Sequence, residues 1–425
     1  MRSLQDIAAA LQGYDPKALA ADQVNAFLHA LVEPVTQTEA VDVMHALGRV
    51  LAADLISPIS VPAHDNSAMD GYALKGSDIQ ALQSTTLEVV GQAFAGEAFE
   101  GHVESGQCVH IMTGAVMPDG LDTVVPIEMV QVSGSHVTLP AGCVQTGDNR
   151  RFMGEDLMQG QPALRKGDVV GPAAMGLIAS LGVSQVTVMR RLKVAYFSTG
   201  NEILSLGDAP RTGAVYDSNR YTVFGLLTRM GVQVLDMGVI PDDPVALEAA
   251  FKSAAEQADA ILTSGGVSMG EADHTKAMMR RLGDVAFWRI AMRPGRPMAV
   301  GRMRDGQSRA VLFGLPGNPV AVMVTFLAFV RPALQRMMGA HVSKPLYLQA
   351  QSTEALRKKP GRTEYQRGIV ERSEQGGLTV RTTGNQGSGV LSSMVQANGL
   401  IVLHHHQGHV AKGDVVEVLM FDGVI

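Results

Sequence analysis

Residues 192–202 read LKVAYFSTGNE, an apolar strand followed by a glycine-containing turn that ends on a carboxylate. The arrangement recurs downstream, where AIL at 260–262 precedes TSGG, and VLF at 311–313 precedes GLPGNP. Helical patterns, such as that of residues 244–257, separate these runs. Strands that alternate with helices form a mainly parallel sheet. Residues 189–341 are therefore predicted to be a central, doubly wound α/β domain.

The segments on either side of this domain have different patterns. Residues 56–154 contain short alternating runs split by Gly and Pro, which predict a small, mostly β domain. Helical signals fade after residue 341, and residues 342–425 are predicted to form a small β-barrel. Residues 1–55 and 155–188 are predicted to form one helical or mixed N-terminal domain. The chain is thus expected to be a multidomain protein of the α/β plus β class.

The N-terminal helical prediction depends partly on one capping signal. Thr36 and Glu39 have the spacing of a capping box, in which Glu39 reaches back to the N-cap. Apolar residues at helical spacing follow as far as Val50, with Gly48 interrupting them. A helix is therefore predicted to begin after Thr36.

Composition excludes several classes of protein. The 425 residues are 46% hydrophobic and 18% charged, which excludes a disordered chain, and the net charge of −6 argues against a nucleic-acid binder. Two cysteines cannot form a disulfide framework or a cysteine zinc site, and their scarcity fits a reducing compartment. The longest largely apolar run, 320–330, is far shorter than the roughly 20 residues of a membrane span, and the N-terminus does not resemble a signal peptide. We expect a cytoplasmic protein without a membrane or nucleic-acid partner.

The glycine-containing turns are candidate anion sites. Ligands of open α/β sheets bind beyond the carboxyl ends of the strands, where glycine lets backbone N–H groups approach an anion. One such turn alone is more often an ordinary strand-to-helix connection, but three on one sheet favour a site. The candidate binding residues in the second and third turns are Ser264, Gly265, Gly266, Ser268, Pro316, Gly317, Asn318 and Pro319.

Acidic and basic residues accompany these turns. Glu202, Asp242 and Asp273 supply the oxygen ligands that Mg²⁺ prefers, whereas Asp217 is better explained as a helix cap. Residues 276–304 hold eight basic residues against one acid in an otherwise acidic protein. Within them, the sequence RPGRP at 293–297 presents two guanidinium groups on a segment stiffened by proline, which suits an oxyanion. A solvated basic face accounts for Arg280 and Arg281.

Three polar motifs lie in the N-terminal half: DNSAMDGYA at 65–73, IMTGA at 111–115 and RRFMGED at 150–156. Such turn-forming segments make poor core material, so a binding role is plausible. Residue chemistry alone does not place them in one site with the α/β domain. The run His404–His406 has too few neighbouring ligands for a metal site and is interpreted as structural.

These motifs, together with FSTGNE at 197–202, YDSNR at 216–220, TSGGVSMGEADHTK at 263–276 and LPGNPVA at 315–321, resemble the molybdopterin molybdenumtransferase family, to which the C-terminal domain of gephyrin is similar. The resemblance covers nearly the whole chain. It implies Mg²⁺-dependent transfer of molybdate to adenylylated molybdopterin with release of AMP. It also implies four domains per subunit and a homodimer, whose cleft lies between the α/β domain of one subunit and the N-terminal domains of the other.

The resemblance also implies roles for individual residues. Glu202, Asp242 and Asp273 match the family's metal- and phosphate-handling acids, and Pro316 and Pro319 shape the turn near molybdate. The residues implied to come from the partner subunit are Asp70, Thr113 and Asp156. The family usually has lysines at the positions of Arg289, Arg293 and Arg296. All three arginines are expected to bind substrate, and Arg293 and Arg296 are expected to hold molybdate.

Two other functions stay open at this point. The molybdopterin adenylyltransferase that acts one step earlier has a similar α/β domain but lacks the DNSAMDGYA segment and the long N-terminal half. A non-catalytic pterin-binding scaffold would not need the acids beside the turns. As partners we expect small-molecule substrates, with the adenylyltransferase and recipient molybdoenzymes as further candidates.

Overall fold

The computed structural model describes residues 2–267, 274–305 and 308–421. Within these residues, three large sheets follow one another along the chain, each with its own buried apolar cluster or clusters. The central sheet belongs to the predicted α/β domain. A curled sheet precedes it and a closed barrel follows it, which confirms the predicted fold class. The exact domain boundaries stay predictions.

The central sheet has six strands, and its first four are parallel. The last two run antiparallel at one edge. In spatial order the strands are Gln233–Ile240, Lys193–Thr199, Ala260–Ser264, Ser308–Leu315, Pro297–Asp305 and Gly283–Arg289.

Helices cover both faces of this sheet. Successive residues of the strand Lys193–Thr199 alternate between two cores, because side chains along a strand point to opposite faces. Val194 and Tyr196 pack with the helices Ser218–Arg229 and Pro319–Thr325, while Ala195 and Phe197 pack with the helices Pro244–Gln257 and His274–Leu282. The domain is therefore doubly wound, as predicted.

The helix from Pro319 to Met337 contains a π-helical turn at Phe326–Val330 before Arg331–Met337 completes it. It is long and apolar enough to cross a membrane by length and composition, but 72% of its apolar window is buried inside the protein. It serves as a core helix of the α/β domain.

The first two helices, Leu4–Ala10 and Ala21–Leu31, pack into the same core as one face of the central sheet. The buried Arg302 fixes them, because its guanidinium donates to the carbonyl oxygens of Arg2 at 2.6 Å and Leu31 at 2.8 Å. A buried charge is tolerated when its donors are satisfied in this way.

The helix predicted after Thr36 is wrong. Residues Thr38–Asp42 form a strand that pairs antiparallel with Gln185–Met189, and only a 3₁₀ turn, Val43–His45, follows. Met44 and Leu47 are 81% and 54% exposed, so the helically spaced apolar residues do not share a buried face. Pairing with a strand more than 140 residues away overrides the local capping signal. Within the part of the N-terminal domain that was predicted at residues 155–188, the structure has the helix Pro172–Ser180 and the strand Gln185–Met189.

The curled sheet and the barrel complete the fold. The curled sheet has the order Thr123–Pro126, Gly71–Leu74, Gln107–Ile111, Thr85–Ala93, His136–Leu139 and Gln131–Ser133. The barrel strands are Thr363–Arg372, Leu378–Thr382, Leu348–Ser352, Val415–Met420 and Gly399–Leu403, and pairing of the last with the first closes the barrel.

Short two-stranded pairs link the remaining segments: Leu55–Ile56 with Pro162–Leu164, Asn66–Ser67 with Arg150–Arg151, and Ile203–Leu204 with Val215–Tyr216. The small helix Ser392–Gln396 lies against the barrel.

Two glycine substitutions test this packing with opposite expected signs. Gly71 lies between two strands of the curled sheet, where an added Cβ would lie 1.9 Å from the carbonyl oxygen of Val125. Gly71→Ala should therefore lower the free energy of unfolding by about 1–3 kcal/mol, as overpacking does. Gly176 lies in the helix Pro172–Ser180 with open space around it, so Gly176→Ala should raise stability by up to about 1 kcal/mol. Urea unfolding of both variants measures the difference, and equal effects would contradict the packing at Gly71.

Candidate active site

The three N-terminal motifs come together at one edge of the curled sheet. Asn66–Ser67 pairs antiparallel with Arg150–Arg151, which joins the first motif to the third. Ser67 also exchanges backbone hydrogen bonds with the second motif: its N–H donates to Ala115 at 3.0 Å, and its carbonyl accepts from Gly114 at 2.8 Å. Residue chemistry alone did not predict this convergence, whereas the family resemblance implied that Asp70, Thr113 and Asp156 serve one site.

Asp65 holds this cluster together. Its Oδ1 accepts from the N–H of Met153 at 2.7 Å, and its Oδ2 accepts from Arg150 Nε at 2.9 Å. The Met153 N–H and then the Arg150 guanidinium lower the pKa of the Asp65 carboxyl below its usual value. Asp65 therefore stays ionised and clamps the first motif against the third.

The structure joins two of the predicted catalytic residues directly. Asp70 Oδ1 accepts hydrogen bonds from both the hydroxyl and the backbone N–H of Thr113, each at 2.7 Å. These bonds, the hydroxyl first, lower the pKa of the exposed Asp70 carboxyl. Asp156 is also exposed, and its N–H donates to Val61 at 3.1 Å, near the start of the first motif. Asp70 and Thr113 are thus in direct contact, and Asp156 is tied through its backbone to the segment that leads into the first motif.

A group of buried hydroxyls lies at the carboxyl ends of the central strands. Tyr196 contacts Ser264 at 2.7 Å and Ser198 at 3.0 Å, and the two serines are 3.2 Å apart. Burial raises the pKa of Tyr196, so it stays a neutral phenol. Ser264 is only 3% exposed, which makes it a support for the turn surface above it.

Gly265 and Gly266 allow neighbouring turns to pack closely. Both have positive φ, and an added Cβ would lie 2.5 Å from Thr199 O and 2.5 Å from Thr275 Cβ respectively. The Gly265 N–H donates to Leu315 O at 3.3 Å, so it joins the second turn to the third. The Gly265 N–H therefore joins the two turns in this structure, and an anion bound here would accept hydrogen bonds from other donors. Ser268 lies outside the described residues.

The third turn joins the α/β domain to the barrel. The carbonyl of Gly317 accepts from Asn219 Nδ2 at 2.8 Å, and Asn318 Nδ2 donates to Ser388 Oγ at 3.1 Å. Pro319 begins the following helix, whose Val320 N–H donates to Ser388 O at 3.1 Å. Pro316 is buried directly before the exposed Gly317. The turn predicted to bind substrate is thus fixed from both sides.

Two of the predicted metal ligands lie on linked turns. Asp242 N–H donates to the side chain of Asn201 at 3.2 Å, which ties the Asp242 turn to the segment that carries Glu202. Thr275 Oγ1 lies 3.5 Å from Asp242 Oδ1, at the limit of a hydrogen bond. Asp273, the third predicted ligand, lies outside the described residues. Among residues that the structure does describe, no group of three acidic, His or Cys side chains is arranged to hold an ion.

The predicted helix cap at Asp217 is confirmed, because its side chain accepts from the N–H of Arg220 at 3.1 Å. Its second oxygen, and the amide oxygen of Asn219, are buried and accept no hydrogen bond from the described part of the chain. Both side chains lie at the start of the helix that contacts the third turn. They are acceptors that a donor-rich ligand would satisfy.

Arg293 lines a cavity of about 220 Å³ between the α/β domain and the barrel. Arg367, on the opposite wall, is 1% exposed and donates to Ser393 Oγ and Gly387 O, each at 2.9 Å. Burial, and then the charge of Arg293, lowers the pKa of Arg367 to about 10. Within the described ranges no carboxylate forms an ion pair with Arg367. Arg357, Glu354 and Glu364 line the cavity as well, and Glu364 forms an ion pair with Arg362 at 2.6 Å. The lining therefore carries three guanidinium groups against two carboxylates, an excess of positive charge that suits an oxyanion.

Arg367 was not among the candidate anion-binding residues predicted from the sequence. It lies in the barrel strand Thr363–Arg372, 74 positions after Arg293. The one signal in the sequence is a charged residue at an inward-facing position of a strand. Which positions of a strand face inward is known only once its register is known. Arg289 and Arg296 are exposed and lie at either end of the segment that carries Arg293.

Three family models match this chain. They are described as "MoeA N-terminal region (domain I and II)" at residues 19–182, "Probable molybdopterin binding domain" at 195–336 and "MoeA C-terminal region (domain IV)" at 349–421. Together they span the curled sheet, the central sheet and the barrel.

Whole-chain comparisons agree with these matches. A molybdopterin molybdenumtransferase of Haemophilus influenzae is 41% identical over 391 residues, which cover 92% of this chain and 95% of that protein. Gephyrin of Dictyostelium discoideum is 30% identical and aligns with 90% of this chain but 59% of its own length. The crystal structure of the molybdopterin biosynthesis MoeA protein from Pyrococcus horikoshii OT3 superimposes with a TM-score of 0.80 at 26% identity, over 95% of this chain and 100% of that one.

The Asp70–Thr113 contact gives a prediction about protonation. Thr113→Val removes the hydroxyl donor but keeps the backbone donor, so the pKa of Asp70 should rise toward its usual value. Thr113→Ser keeps the hydroxyl and should leave the pKa low. Carbon-13 NMR titration of the Asp70 carboxyl measures both.

The direction of the associated pH effect follows from linkage. A carboxyl whose pKa is lowered on folding stabilises the fold above its unfolded-state pKa, and this contribution is lost as the pH falls through the folded-state pKa. In Thr113→Val this contribution should be smaller, and it should be lost completely at a higher pH than in the parent protein, because the folded-state pKa rises while the unfolded-state pKa, at which the loss begins, is unchanged. Identical titration of Asp70 in both variants would contradict the role assigned to the hydroxyl.

Proposed function

This chain belongs to the molybdopterin molybdenumtransferase family, and from that membership we propose that it transfers molybdate to adenylylated molybdopterin with release of AMP. Its relatives place it among the enzymes of molybdenum cofactor biosynthesis, and the similarity extends over 92% of the chain. The structural observation that carries the proposal is the cavity at which Arg293 and the buried Arg367 meet.

Molybdate is the proposed occupant of this cavity. It is a compact dianion, and a volume of about 220 Å³ holds it with accompanying water or part of a second substrate. Arginine suits such an anion because its planar fork donates two hydrogen bonds in parallel. Arg293 lies on the cavity wall, and Arg289 and Arg296 on the same segment add positive charge near it.

Adenylylated molybdopterin is proposed to lie along the carboxyl edge of the central sheet. Its phosphoanhydride would lie near the turns at Ser264–Gly266 and Pro316–Pro319, where helix N-termini favour negative charge. The unpaired oxygens of Asp217 and Asn219 are suited to the ring N–H groups of a pterin. This arrangement places the pterin end and the molybdate cavity on opposite sides of the Gly317–Asn318 turn, which contacts both the Asn219 helix and the barrel.

The acidic residues fit a magnesium site that shares its ion with substrate. Glu202 and Asp242 offer hard oxygen ligands on linked turns, and Mg²⁺ is usually held by one or two carboxylates together with substrate phosphates. We propose that Glu202, Asp242 and Asp273 hold the ion. When bound, it would neutralise charge on the phosphoanhydride.

The proposed chemistry needs positioning and charge neutralisation, and no covalent protein intermediate. An oxygen of molybdate or of water attacks phosphorus, the phosphoanhydride P–O bond breaks, and AMP leaves with that oxygen. Two Mo–S bonds to the dithiolene form as one Mo–O bond breaks: the displaced oxygen leaves within AMP if molybdate attacked, or as water with the two thiol protons if water attacked. Arg293 and Arg367 hold the oxyanion in place during this exchange. The ionised Asp70, kept charged by Thr113, orients donors of the substrate from the curled-sheet side.

We further propose a homodimer in which the Asp70, Thr113 and Asp156 surface of one subunit faces the turns of the other. The molybdopterin adenylyltransferase and recipient molybdoenzymes are candidate partners, and the cytoplasm is the proposed location.

One assay separates the proposal from its alternatives. Molybdate-dependent AMP release from adenylylated molybdopterin with Mg²⁺ supports the transferase. ATP consumption with free molybdopterin would indicate the adenylyltransferase, and binding without product would indicate a scaffold.

Removing Arg293 should weaken molybdate binding. We expect Arg293→Ala to raise the half-saturating molybdate concentration about 10- to 100-fold, the range for a lost charge-assisted hydrogen bond. Arg293→Lys keeps the charge and should have a smaller effect. Arg280→Ala is the matched control, because Arg280 belongs to the same basic stretch but lies over the Phe287 ring, 4.9 Å from its centroid. A molybdate titration of AMP release that is unchanged in Arg293→Ala would refute the anion site.

Neutralising Asp242 should affect the magnesium requirement. Asp242→Asn is expected to lower Mg²⁺-dependent AMP release by about tenfold or more, a typical loss at metal sites. Asp243→Asn, one position further, is the control: Asp243 caps the helix Pro244–Gln257, and asparagine caps equally well. Magnesium titrations of both variants should therefore diverge, and parallel titrations would remove Asp242 from the proposed site.

A further inference from the structure

An N-terminal segment pairs with the chain just before the proposed molybdate-binding arginines. Leu19 forms a parallel bridge with Ile290. Three backbone hydrogen bonds support it: Arg289 N–H to Pro16 O at 2.8 Å, Leu19 N–H to Arg289 O at 3.2 Å, and Ala291 N–H to Leu19 O at 2.8 Å. The segment thereby covers the end of the edge strand Gly283–Arg289.

The barrel holds the same stretch from another direction. Thr363 N–H donates to Ala291 O at 2.9 Å, and Met292–Arg293 pairs in parallel with Thr363 and Glu364. Ala291 therefore gives its N–H to the N-terminal segment and its carbonyl to the barrel. Between these two attachments, Ile290 N–H also donates to Arg296 O at 2.7 Å, which closes the loop that carries Arg293.

Side chains fix the N-terminal segment in register. Trp288 Nε1 donates to the hydroxyl of Tyr14 at 2.8 Å, and its ring meets Phe27 edge-on with centroids 4.8 Å apart. Leu19 and Ile290 are 0% and 1% exposed in the shared core. These contacts are buried and specific. A segment whose role was only to cover an edge strand would not need such contacts.

We propose that residues 14–19 form a brace that positions Arg289 and Arg293 for oxyanion binding, with Tyr14 and Leu19 as positioning residues. This inference rests on the proposed function, because it takes the arginine segment to be the molybdate site. Neither residue is assigned a contact with substrate. Their effect passes through the backbone of residues 289–291, and pre-organisation of this kind governs how well a fixed set of donors binds an anion.

The sequence supplies a reporter for the test, because Trp288 is its only tryptophan. Trp288 contacts the brace through Tyr14 and directly precedes Arg289. Molybdate added to the intact protein should change Trp288 emission saturably. The same titration can be followed independently through AMP release and by calorimetry.

Two brace variants and two matched controls complete the design. Leu19→Ala should raise the half-saturating molybdate concentration about tenfold, and Tyr14→Phe about threefold, with kcat at saturating molybdate changed by less than about twofold, since small displacements of binding groups weaken binding. Leu247→Ala truncates an equally buried leucine in the core on the other face of the sheet, and Tyr221→Phe removes a hydroxyl from an exposed ring. Both controls should keep the parent molybdate titration.

The outcomes separate the brace from the proposed function. If the parent protein binds molybdate and Arg293→Ala does not, but Leu19→Ala and Tyr14→Phe titrate like the parent, the brace is refuted and the anion site stands. If the parent shows no saturable response to molybdate, the anion site itself fails. A rise confined to the brace variants supports the proposal, while equal rises in Leu247→Ala would refute it as a general loss of stability. If Leu19→Ala does not fold, the molybdate titration of Tyr14→Phe tests the brace.

Discussion

The rest of the site depends on a guanidinium group that the fold buries and whose donors it satisfies with neutral oxygens. Arg367 is 1% exposed, its donors go to a hydroxyl and carbonyl oxygens, and Arg293 lies on the same cavity. Taking an ion out of water costs several kcal/mol even after relaxation. Arg293 is exposed but lines the same cavity, so the position of the α/β domain against the barrel decides how the two guanidinium groups face it, and an anion bound there would recover part of that cost.

The fold meets this constraint by attaching one short stretch of chain to three parts of the protein. The segment 289–296 ends the edge strand of the central sheet, pairs with a barrel strand and pairs with the segment between the first two helices. Thr325 in the core helix lies under Gly295, where an added Cβ would lie 2.5 Å from its hydroxyl. Parts of the chain that are far apart in sequence therefore contribute to the position of one guanidinium group, and within this segment Arg293 and Pro294 line the cavity.

Local patterns predicted the α/β domain well. The helix Pro244–Gln257 has the predicted limits, because proline, a capping residue and helical spacing agree there. The helix after Thr36 was wrong, and no strand was predicted for Gly283–Arg289 or Pro297–Asp305, since long-range pairing decides these segments and leaves little trace in a short window. The same reason hid Arg367 and the convergence of the three N-terminal motifs. Their residue types were visible, but their neighbours are set by register and topology.

The choice of arginine at position 293 follows from the charge it faces. Arg367 has a pKa of about 10, so it stays protonated near neutral pH, and the repulsion from Arg293 persists until an anion binds. A lysine, which the resembling family usually has at this position, can relieve such repulsion by losing its proton, because buried or crowded lysines shift their pKa readily. Arginine cannot do so. With arginine at both positions, the contribution of these two side chains to anion binding should hold across a wider pH range than that of a lysine–arginine pair.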